Sequence, residues 1–330
     1  MADVAVVGGG ISGIACARSL ADAGLTVDVI DRGQRLGGRL AVQTLRDTGT
    51  ACDGRVVDVG AAYLTVSDPA FAAVVDDWVD RGTARPWTDT FHVADGTGLL
   101  GTKLGPMRYA APRGLRSLVE DLAVELPSDL VSIAHPMDVE AVIVGDGHVT
   151  IDGGAYRAAA LCGPDPQMRS LLHADTEAHD VLAAAPMWEP VIALTAVYDQ
   201  RTWADLDAAF VNDDPVLSFV ADDGRRRGDD APVLVAHSTP VLAAGHLADP
   251  VTAAPLMLGA LERIVAGSEP AWFSVKRWTY ARPARARDDL CFFDGAVGLA
   301  GDAWAGRPRT EAAWLSGTAL GRRMAEELTA

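Results

Sequence analysis

A glycine-rich turn near the start of the chain has the residue types and spacing that bind a dinucleotide diphosphate. Gly8-Gly9-Gly10-Ile11-Ser12-Gly13 forms a Gly-x-Gly-x-x-Gly pattern between the apolar run 4–7 and the small-residue segment 12–23. The first glycine permits a tight turn, the second lets backbone approach the diphosphate, and the third permits close helix–strand packing. The helix also offers free N–H groups and the positive end of its dipole. The pattern predicts a nucleotide-binding strand–turn–helix unit.

A carboxylate follows at the place where a nucleotide ribose is held in such units. Residues 26–30 have the composition of a second strand, and Asp31 ends it. A carboxylate there can accept hydrogen bonds from ribose hydroxyls and disfavours a 2′-phosphate, so the pattern favours FAD or NAD over NADP. The alternative is a glycine-rich turn followed by a solvated aspartate.

Two further segments favour FAD over NAD. Leu36-Gly37-Gly38-Arg39-Leu40 allows another close backbone approach, and Arg39 could neutralise a diphosphate. Val297-Gly298-Leu299-Ala300-Gly301-Asp302 is an apolar strand ending in Gly-Asp, which suits a flavin ribityl chain. Taken alone, each segment is also compatible with an ordinary turn. An NAD enzyme has no need of this second nucleotide motif.

The chain resembles the amine-oxidase-like FAD superfamily and, within it, the bacterial renalases. The resemblance rests on the spacing from Asp31 to Gly37-Gly38-Arg39 and on the stretches 59–65 (VGAAYLT), 277–283 (RWTYARP) and 311–317 (EAAWLSG). It implies a p-hydroxybenzoate-hydroxylase-like fold. It also implies oxidation of 2- and 6-dihydro isomers of NAD(P)H to NAD(P)+, with O2 as the electron acceptor and H2O2 as the second product.

The resemblance also implies a set of binding residues for non-covalent FAD and for a pyridine dinucleotide substrate. The residues expected around the ADP half are Gly8, Gly10, Ile11, Ser12, Gly13, Asp31, Arg32, Gly38 and Arg39, with backbone groups of Met137 at the adenine. Those expected around the flavin and its ribityl chain are Gly60, Ala61, Gly301, Asp302 and the backbone N–H groups of Ala313 and Trp314. Those expected in the substrate wall are Tyr63, Tyr280, Arg282 and Trp304; core packing is the alternative for the two tyrosines.

Two departures from the family pattern concern the substrate side. Ala62 stands where relatives often have glutamine, and Ala236-His237-Ser238 reverses the order of a family His-Ala pair. Because adjacent strand residues face opposite sides of a sheet, His237 is not expected to point where the family histidine does. These departures leave the substrate itself open.

The expected chemistry requires orientation more than acid–base catalysis. A dihydropyridine that loses a hydride becomes an aromatic pyridinium, so no proton has to leave a carbon acid. We therefore assign no catalytic acid or base. The alternatives are a flavin amine oxidase, a desaturase or isomerase of an apolar substrate, and a flavin-binding protein with a degenerate substrate pocket. A plain NAD-dependent dehydrogenase is the least favoured.

Composition excludes several other classes. The 330 residues carry 28 Lys and Arg against 45 Asp and Glu, a formal net charge of −17, which disfavours nucleic acid and anionic membranes as partners. No apolar run is long enough for a transmembrane helix. The histidines show no metal-ligand spacing, so no metal is predicted. The cysteines, Cys16, Cys52, Cys162 and Cys291, form no CxxC and suggest reduced thiols in a cytoplasmic protein.

The order of segments predicts an α/β protein with a Rossmann-type FAD-binding domain and a second, mixed-sheet substrate domain. The expected FAD domain is discontinuous, with residues 1–60, 106–163 and 287–330, and the substrate domain comprises 61–105 and 164–286. Residues 82–106 are expected to form loops and short strands. Gly145-Asp146-Gly147 is expected to form a hairpin turn, and the charged segment 222–230 a solvated turn. The stretch 276–309 is locally basic, which suits a diphosphate-bearing substrate or a plain surface loop.

Overall fold

The computed structural model describes residues 2–145, 147–184, 187–203, 205–265 and 269–330. Contacts divide the chain into two discontinuous units. The first unit comprises residues 1–38, 119–187 and 282–330, and the second comprises 39–118 and 188–281. The segments 39–60 and 106–118 lie in the second unit and 164–187 in the first, which differs from the boundaries expected from sequence. Asp146, in the expected hairpin turn, is outside the described residues.

The elements are named in chain order. The strands are β1 (Val4–Val7), β2 (Val27–Ile30), β3 (Val42–Thr44), β4 (Val56–Asp58), β5 (Leu64–Thr65), β6 (Arg85–Asp95), β7 (Gly98–Ala110), β8 (Val131–Ala134), β9 (Val142–Gly145), β10 (His148–Ile151), β11 (Gly154–Tyr156), β12 (Ala158–Leu161), β13 (Trp188–Val197), β14 (Ala208–Val211), β15 (Leu217–Asp222), β16 (Val233–Ser238), β17 (Trp272–Pro283), β18 (Phe292–Phe293) and β19 (Val297–Leu299). The α-helices are α1 (Ile11–Asp22), α2 (Pro69–Asp80), α3 (Arg116–Val124), α4 (Asp165–Arg169), α5 (Glu177–Ala183), α6 (Asp223–Arg227), α7 (Pro240–Gly245), α8 (Ala254–Val265) and α9 (Thr310–Thr329).

The first unit is built on a nearly parallel sheet. Within the described residues its strand order is β18-β19-β12-β1-β2-β8, and every pairing is parallel except that of β18 with β19. β1 and β12 are buried along their whole length, which explains why they are apolar without alternation. A small antiparallel sheet, β11-β10-β9, belongs to the same unit. The Rossmann-type domain predicted from the first motif is confirmed.

Helix α9 packs against α1 through two glycines. A Cβ at Gly317 would lie 1.9 Å from the backbone oxygen of Ser12, and one at Gly321 would lie 2.5 Å from that of Cys16. The two helices therefore approach more closely than any larger side chain would allow. This contact fixes the C-terminal helix on the helix that follows the glycine-rich turn.

The second unit is built on a mixed sheet with the order β17-β13-β16-β15-β14-β6-β7-β5 over the described residues. Its longest pairing is the antiparallel β6–β7 hairpin, which joins Arg85 to Ala110 and Asp95 to Gly98. The expectation of loops and short strands over 82–106 was therefore wrong. The many Gly, Thr and Asp residues there lie on long, partly exposed strands, where polar residues are compatible with pairing. The second, mixed-sheet domain itself is confirmed.

The apolar core of the second unit lies between this sheet and helix α8. Strand residues such as Ile192, Leu194 and Leu234 are fully buried, and Met257 and Leu261 of α8 pack against them. Trp203 joins the same core. The positions of the strands in this unit are thus held by side chains that do no chemistry.

The charged segment 222–230 is largely buried over 222–227 instead of forming a solvated turn, and only 228–230 are exposed. Asp223, Arg226 and Arg227 lie on helix α6 and are almost fully shielded from solvent, and Arg226 is 0% exposed. Asp222 caps the helix by accepting the N–H of Arg225 at 2.9 Å. The expectation failed because the charges are neutralised by partners from distant parts of the chain, which local composition does not reveal.

Candidate functional site

The glycine-rich turn lies at the carboxyl end of β1, next to the carboxyl end of β12. In the sheet, β1 has β2, the next strand in the chain, on one side and β12, a much later strand, on the other. The strand order therefore reverses at β1. A Cβ at Gly8, whose φ is +112°, would lie 2.5 Å from the carbonyl oxygen of Cys162. In open α/β sheets, ligands bind outside the strand ends at such a switch point.

The other two glycines of the motif, Gly10 and Gly13, have opposite surroundings. A Cβ at Gly13 would lie 1.9 Å from the Gly8 carbonyl oxygen, so that position tolerates only glycine. A Cβ at Gly10 would meet nothing within 4 Å, so the backbone there borders open space. One glycine is required for internal packing, and the other leaves room for a ligand to approach the backbone.

The first turn of α1 carries a buried hydroxyl without a partner. Gly10 is the N-cap and supplies no side-chain cap, and Ser12 is 4% exposed. Among the described residues, nothing hydrogen-bonds to the Ser12 hydroxyl. Buried polar groups are normally satisfied, and the N–H groups of a first helical turn have no intrahelical acceptor. Phosphate oxygens would satisfy both, so the residues present fit a dinucleotide diphosphate.

Asp31 lies at the carboxyl end of β2, as predicted, but its carboxylate is already engaged. One oxygen accepts the N–H of Gly9 at 2.5 Å and the other accepts the N–H of Gly33 at 2.6 Å. A carboxylate has about four lone-pair sites, so a ribose hydroxyl could share it. Its present bonds hold the glycine-rich turn against the end of β2. Arg32, which follows it, is exposed.

Met137 has its backbone N–H committed inside the protein. That N–H donates to the carbonyl oxygen of Asp31 at 2.8 Å. Met137 was expected to supply backbone hydrogen bonds to an adenine. Since its N–H is engaged, its carbonyl oxygen is the backbone group that remains for that role. The contact places the loop after β8 beside the end of β2.

The second nucleotide motif ends β19 at the same edge of the sheet. Gly301 has φ +150°, and its N–H donates to the hydroxyl of Ser316, a fully buried residue of α9, at 3.0 Å. A Cβ at Gly301 would lie 3.6 Å from the carbonyl oxygen of Gly163, which follows β12. Asp302 is partly exposed next to it. The Gly-Asp pair and the first glycine-rich turn therefore belong to one row of loops.

The first turn of α9 begins a few residues before the expected flavin-binding N–H groups. The N–H of Ala313 donates to the carbonyl oxygen of Arg309 at 3.1 Å, and α9 starts at Thr310. Ala313 is thus already inside the helical hydrogen-bond pattern, and Trp314 follows it; the contact of their N–H groups with a flavin stays a prediction.

Arg39, Gly60 and Ala61 lie together in the second unit. The carbonyl oxygen of Arg39 accepts the N–H of Ala61 at 2.9 Å, and a Cβ at Gly60 would lie 2.0 Å from it. The Arg39 guanidinium lies 5.0 Å from the ring centre of Trp188 and donates to the carbonyl oxygen of Ala281 at 3.2 Å. Gly60 is therefore required by backbone packing, whatever else it does. Gly38, the last residue of the first unit, approaches Gly10: a Cβ on Gly38 would lie 3.5 Å from the Gly10 Cα.

The four residues predicted for the substrate wall are in different surroundings. Tyr63 is half-buried within an aromatic cluster of the second unit, and its ring centre is 5.3 Å from that of Phe91. Tyr280 is also half-buried, on β17, whereas Arg282 is exposed. Trp304 is 2% exposed in the first unit under the guanidinium of Arg287, 4.4 Å from its ring centre.

The structure places His237 on the same face of the second sheet as the aromatic cluster. His237 on β16 pairs in register with Phe219 on β15, and their ring centres are 5.7 Å apart. The Phe219 ring lies 6.1 Å from that of Tyr63. Sequence alternation alone did not predict this face, because it depends on the register of the neighbouring strands.

Sequence reasoning missed a buried ion network in the second unit. Arg226 donates to Asp223. Arg227 donates to Asp58 and to Asp223, and both of these bonds are 2.9 Å long. Arg55 reaches Asp223 at 3.0 Å. Burial opposes ionisation of Asp223, but Arg226, Arg227 and Arg55 outweigh it and hold the pKa of Asp223 well below its usual range. Burial raises the pKa of Asp58 in spite of the two arginines beside it.

The network joins separate segments of the second unit. Asp58 accepts the N–H of Leu115 at 2.7 Å, and Arg226 donates to the carbonyl oxygen of Ala62 at 2.9 Å. Ala62, one of the departures from the family pattern, is therefore tied to α6 through its backbone. The only signal in the sequence was the unusual run Asp-Asp-Gly-Arg-Arg-Arg, and that run does not identify its partners.

The described residues contain no helix both long and apolar enough to cross a membrane. They also contain no group of three or more His, Cys, Asp or Glu side chains placed to hold a metal ion. All four cysteines are free thiols.

Comparison with known proteins identifies the nucleotide-binding region and the fold. Residues 6–78 match a family model described as an NAD(P)-binding Rossmann-like domain. A stretch of 142 residues is 42% identical to (S)-6-hydroxynicotine oxidase of Paenarthrobacter nicotinovorans; it covers 42% of this chain and 30% of that protein. A stretch of 141 residues is 47% identical to flavin-containing amine oxidase B of Bos taurus and covers 38% of this chain and 24% of that enzyme. The matches thus span less than a third of these relatives.

Solved structures resemble the whole chain at lower sequence identity. Cyclohexylamine oxidase from Brevibacterium oxydans IH-35A superposes with a TM-score of 0.75 at 16% identity, covering 100% of both chains. Putrescine oxidase bound to putrescine superposes with a TM-score of 0.72 at 16% identity, covering 99% of both chains. This chain therefore has the fold of these amine oxidase structures: a Rossmann-like dinucleotide-binding domain with a second domain on a mixed sheet.

Proposed function

We propose that this chain is an FAD-dependent oxidase that removes a hydride from a small molecule and passes the electrons to O2. The observation that carries the proposal is the turn between β1 and α1. Its backbone is open at Gly10, closed to side chains at Gly8 and Gly13, and flanked by the unpartnered hydroxyl of Ser12. The relatives that match parts of the sequence include a flavin-containing amine oxidase and a nicotine oxidase, which supports a flavin as the dinucleotide.

The chain's own residues would act mainly by binding and orientation. The first turn of α1 and Ser12 would hold the diphosphate, Asp31 would accept from a ribose hydroxyl, and Asp302 would hold the ribityl chain. When bound, FAD supplies the hydride acceptor and the route to O2. The N-terminal end of α9 would favour negative charge beside it because it is the positive end of the helix dipole. Gly60 and Ala61 would lie near the flavin ring.

The first candidate substrate is a dihydropyridine nucleotide isomer. The stretches 59–65, 277–283 and 311–317 support it, as does the locally basic stretch 276–309. The product of hydride loss is an aromatic pyridinium, so the reaction needs no general base. Tyr63, Tyr280, Arg282 and Trp304 are each proposed as substrate contacts. H2O2 is the expected second product.

The comparisons favour a second candidate substrate, an amine. The structures of like fold include oxidases of cyclohexylamine and putrescine, and the bovine relative is an amine oxidase by name. Amine oxidation by a flavin also removes a hydride, from the carbon beside nitrogen. The two candidates differ in charge, because an amine is a cation at neutral pH and a nucleotide is an anion.

Anaerobic mixing of the FAD-loaded protein with each substrate class tests the proposal. The flavin absorbance is followed near ~450 nm with the 2- and 6-dihydro isomers of NADH, with ordinary 4-dihydro NADH, and with a panel of amines. Bleaching by the 2- or 6-dihydro isomers alone supports the first candidate, and bleaching by an amine alone supports the second. A holoenzyme that no compound bleaches indicates a flavin-binding protein without oxidase activity. Protein that stays colourless with added FAD contradicts the cofactor assignment.

A further inference from the structure

The second unit contains a buried cation without a counter-ion. Arg108 on β7 is only 5% exposed. Its Nε and Nη1 atoms are buried and have no hydrogen-bond partner, and no carboxylate forms an ion pair with it in the described ranges. A buried charge is costly unless it is paired and hydrogen-bonded. These two nitrogens together carry three unspent N–H donors.

The guanidinium lies on an aromatic cluster made of Tyr63, Phe91, Phe210 and Phe219. Its central carbon is 3.8 Å from the ring centre of Phe91 and 5.8 Å from that of Tyr63. The ring of Phe91 is 5.5 Å from that of Phe210 and 5.8 Å from that of Phe219. Stacking on ring faces partly offsets the burial of a cation but satisfies no N–H donor. Burial raises the pKa of Tyr63, and Arg108 opposes the rise through its charge and a hydrogen bond.

The strand geometry is irregular where this cation is held. Pro86 pairs with Tyr109 and Thr88 with Arg108, so Trp87 is an extra residue opposite a continuous partner strand. The register shifts again before Thr90, which pairs with Leu104. Bulges are frequent beside binding sites, where they redirect side chains.

A second unpartnered donor lies on the same cluster. The ring of Trp87, the bulged residue, is 5.2 Å from that of Phe91. Its indole N–H is buried, and nothing in the described part of the chain accepts it. Gly105 leaves space beside the cation, since a Cβ there would lie 2.8 Å from Nη2 of Arg108. Two independent donors thus border one aromatic surface.

We propose that Arg108 and Trp87 form an oxyanion-recognition site for a substrate that carries a carboxylate or phosphate next to a planar ring. Arg108 supplies the charge and N–H donors, Trp87 supplies a neutral donor, and Phe91 and Tyr63 supply apolar faces. A protonated amine is repelled by the same site. As a statement about substrate class, the inference rests on the proposed oxidase function. As a binding site, it can be tested without turnover.

Calorimetry on the FAD-loaded protein with four matched probes tests this site. The probes are benzoate, phenyl phosphate, neutral benzamide and cationic benzylamine. We expect at least one of the two anions to bind at least 10-fold more tightly than benzamide, and benzylamine to bind more weakly than benzamide. Preference for phenyl phosphate assigns the oxyanion to a phosphate, and preference for benzoate assigns it to a carboxylate.

Two variants separate recognition by Arg108 from the general charge of the surface. Arg108→Met should lose the anion preference, at least 10-fold in dissociation constant, and Arg108→Lys should retain part of it. Arg81→Met is the matched control, because Arg81 caps the C-terminal end of α2 and pairs with Asp77 at an exposed position; it should bind the anions as the wild type does. Equal binding of all four probes, tightest binding of benzylamine, or an unchanged anion preference in Arg108→Met would overturn the proposal.

The outcome is distinguishable from failure of the oxidase function. Anion binding that depends on Arg108, in a holoenzyme that no compound reduces, supports the site and contradicts the oxidase. Flavin reduction by an amine in a protein without anion preference supports an oxidase and contradicts the site.

Discussion

Two buried guanidinium sites in the second unit have opposite surroundings. Arg226 on α6 is fully buried and lies among Asp223, Asp58 and the carbonyl oxygen of Ala62. Arg108 on β7 is also buried, but its neighbours are aromatic rings and it has no acidic partner in the part of the chain that the structure describes. The charge of Arg226 is paired with carboxylates within the protein, although its Nε has no hydrogen-bond partner among the described residues. The charge of Arg108 has no carboxylate partner among the described residues, as expected for a site that binds an anionic ligand.

The difference also appears in what each site holds together. The α6 network connects Asp58 on β4, Leu115 before α3, and α6 itself, segments that are far apart in the chain. Burial lowers the pKa of Arg226, but Asp223 and Asp58 outweigh this effect and raise it, so it stays charged. Among the described residues, Arg108 connects no such segments through ion pairs. Stability should therefore depend strongly on Arg226 and weakly on Arg108.

Replacing Arg226 should give the largest effect. Arg226→Met removes one partner from buried pairs and leaves Asp223 and Asp58 with less compensating charge, which typically costs about 3–5 kcal/mol. Urea denaturation should show this loss in the free energy of unfolding. Arg225→Met is the matched control, since Arg225 is the neighbouring, partly exposed arginine paired with Asp205 and Asp207; it should cost no more than about 1 kcal/mol. Similar stabilities for the two variants would contradict the role of the network.

The pH dependence of stability should test the ion pairs of Asp223 in the same network. The pKa of Asp223 is held below the ordinary carboxyl value of 3.8, so its ionised form stabilises the fold fully above that value. As pH falls below 3.8, the unfolded chain binds the proton first, and the stabilisation declines by up to about 1.4 kcal/mol per pH unit. The difference in unfolding free energy between the wild type and Asp223→Asn should be constant from pH 7 to about pH 5 and shrink below pH 4. A difference that is undiminished at pH 3 would contradict the shifted pKa.

The comparison also shows what the sequence could predict. The nucleotide turn was predictable because its chemistry lies in neighbouring residues: glycine spacing, a following helix and Asp31 on the next strand. Gly8 and Gly13 have the close contacts that this spacing implies. The Gly-Asp pair at 301–302 was found by the same local logic, and it lies at the same sheet edge.

Features that depend on distant partners were not predictable. The charges of α6 were expected to be solvated because Asp58 and Arg55 are far away in sequence. The face of His237 depends on its register with Phe219, and the N–H groups offered by α9 depend on where that helix begins. Arg108 was not singled out at all. A single arginine in a polar strand gives no signal until its lack of a carboxylate partner is seen.

The first unit offers a smaller test of the idea that unsatisfied buried groups await a ligand. Ser12→Ala removes a hydroxyl that has no partner within the described residues, so protein stability should change by less than about 0.5 kcal/mol. FAD affinity should fall about 10- to 100-fold, the value of one hydrogen bond to a charged phosphate oxygen. Fluorescence titration of the apoprotein with FAD measures it. Ser132→Ala, at an exposed position on β8, is the control. A destabilised Ser12→Ala with normal FAD affinity would mean that the hydroxyl has a structural role.

The smallest expected effect is that of Arg108→Met on the ligand-free protein. Replacing an uncompensated buried cation with an apolar side chain of similar length removes the cost of its burial, and such replacements are often neutral or stabilising. The free energy of unfolding should therefore lie within about 1 kcal/mol of the wild type or above it. Stacking on Phe91 and the contact with Tyr63 act in the other direction and set the limit of any gain.

A change near zero in the free energy of unfolding of Arg108→Met is informative because it can be compared with the large loss expected for Arg226→Met. Both variants delete a buried guanidinium from the same unit and introduce the same side chain, so they differ mainly in whether carboxylates are left behind. A loss of 3 kcal/mol or more in Arg108→Met would mean that ring stacking alone makes this cation structural, and the two sites would then not differ in kind. A stable variant that has lost anion binding would instead show that the charge of Arg108 serves a ligand and contributes nothing to the fold.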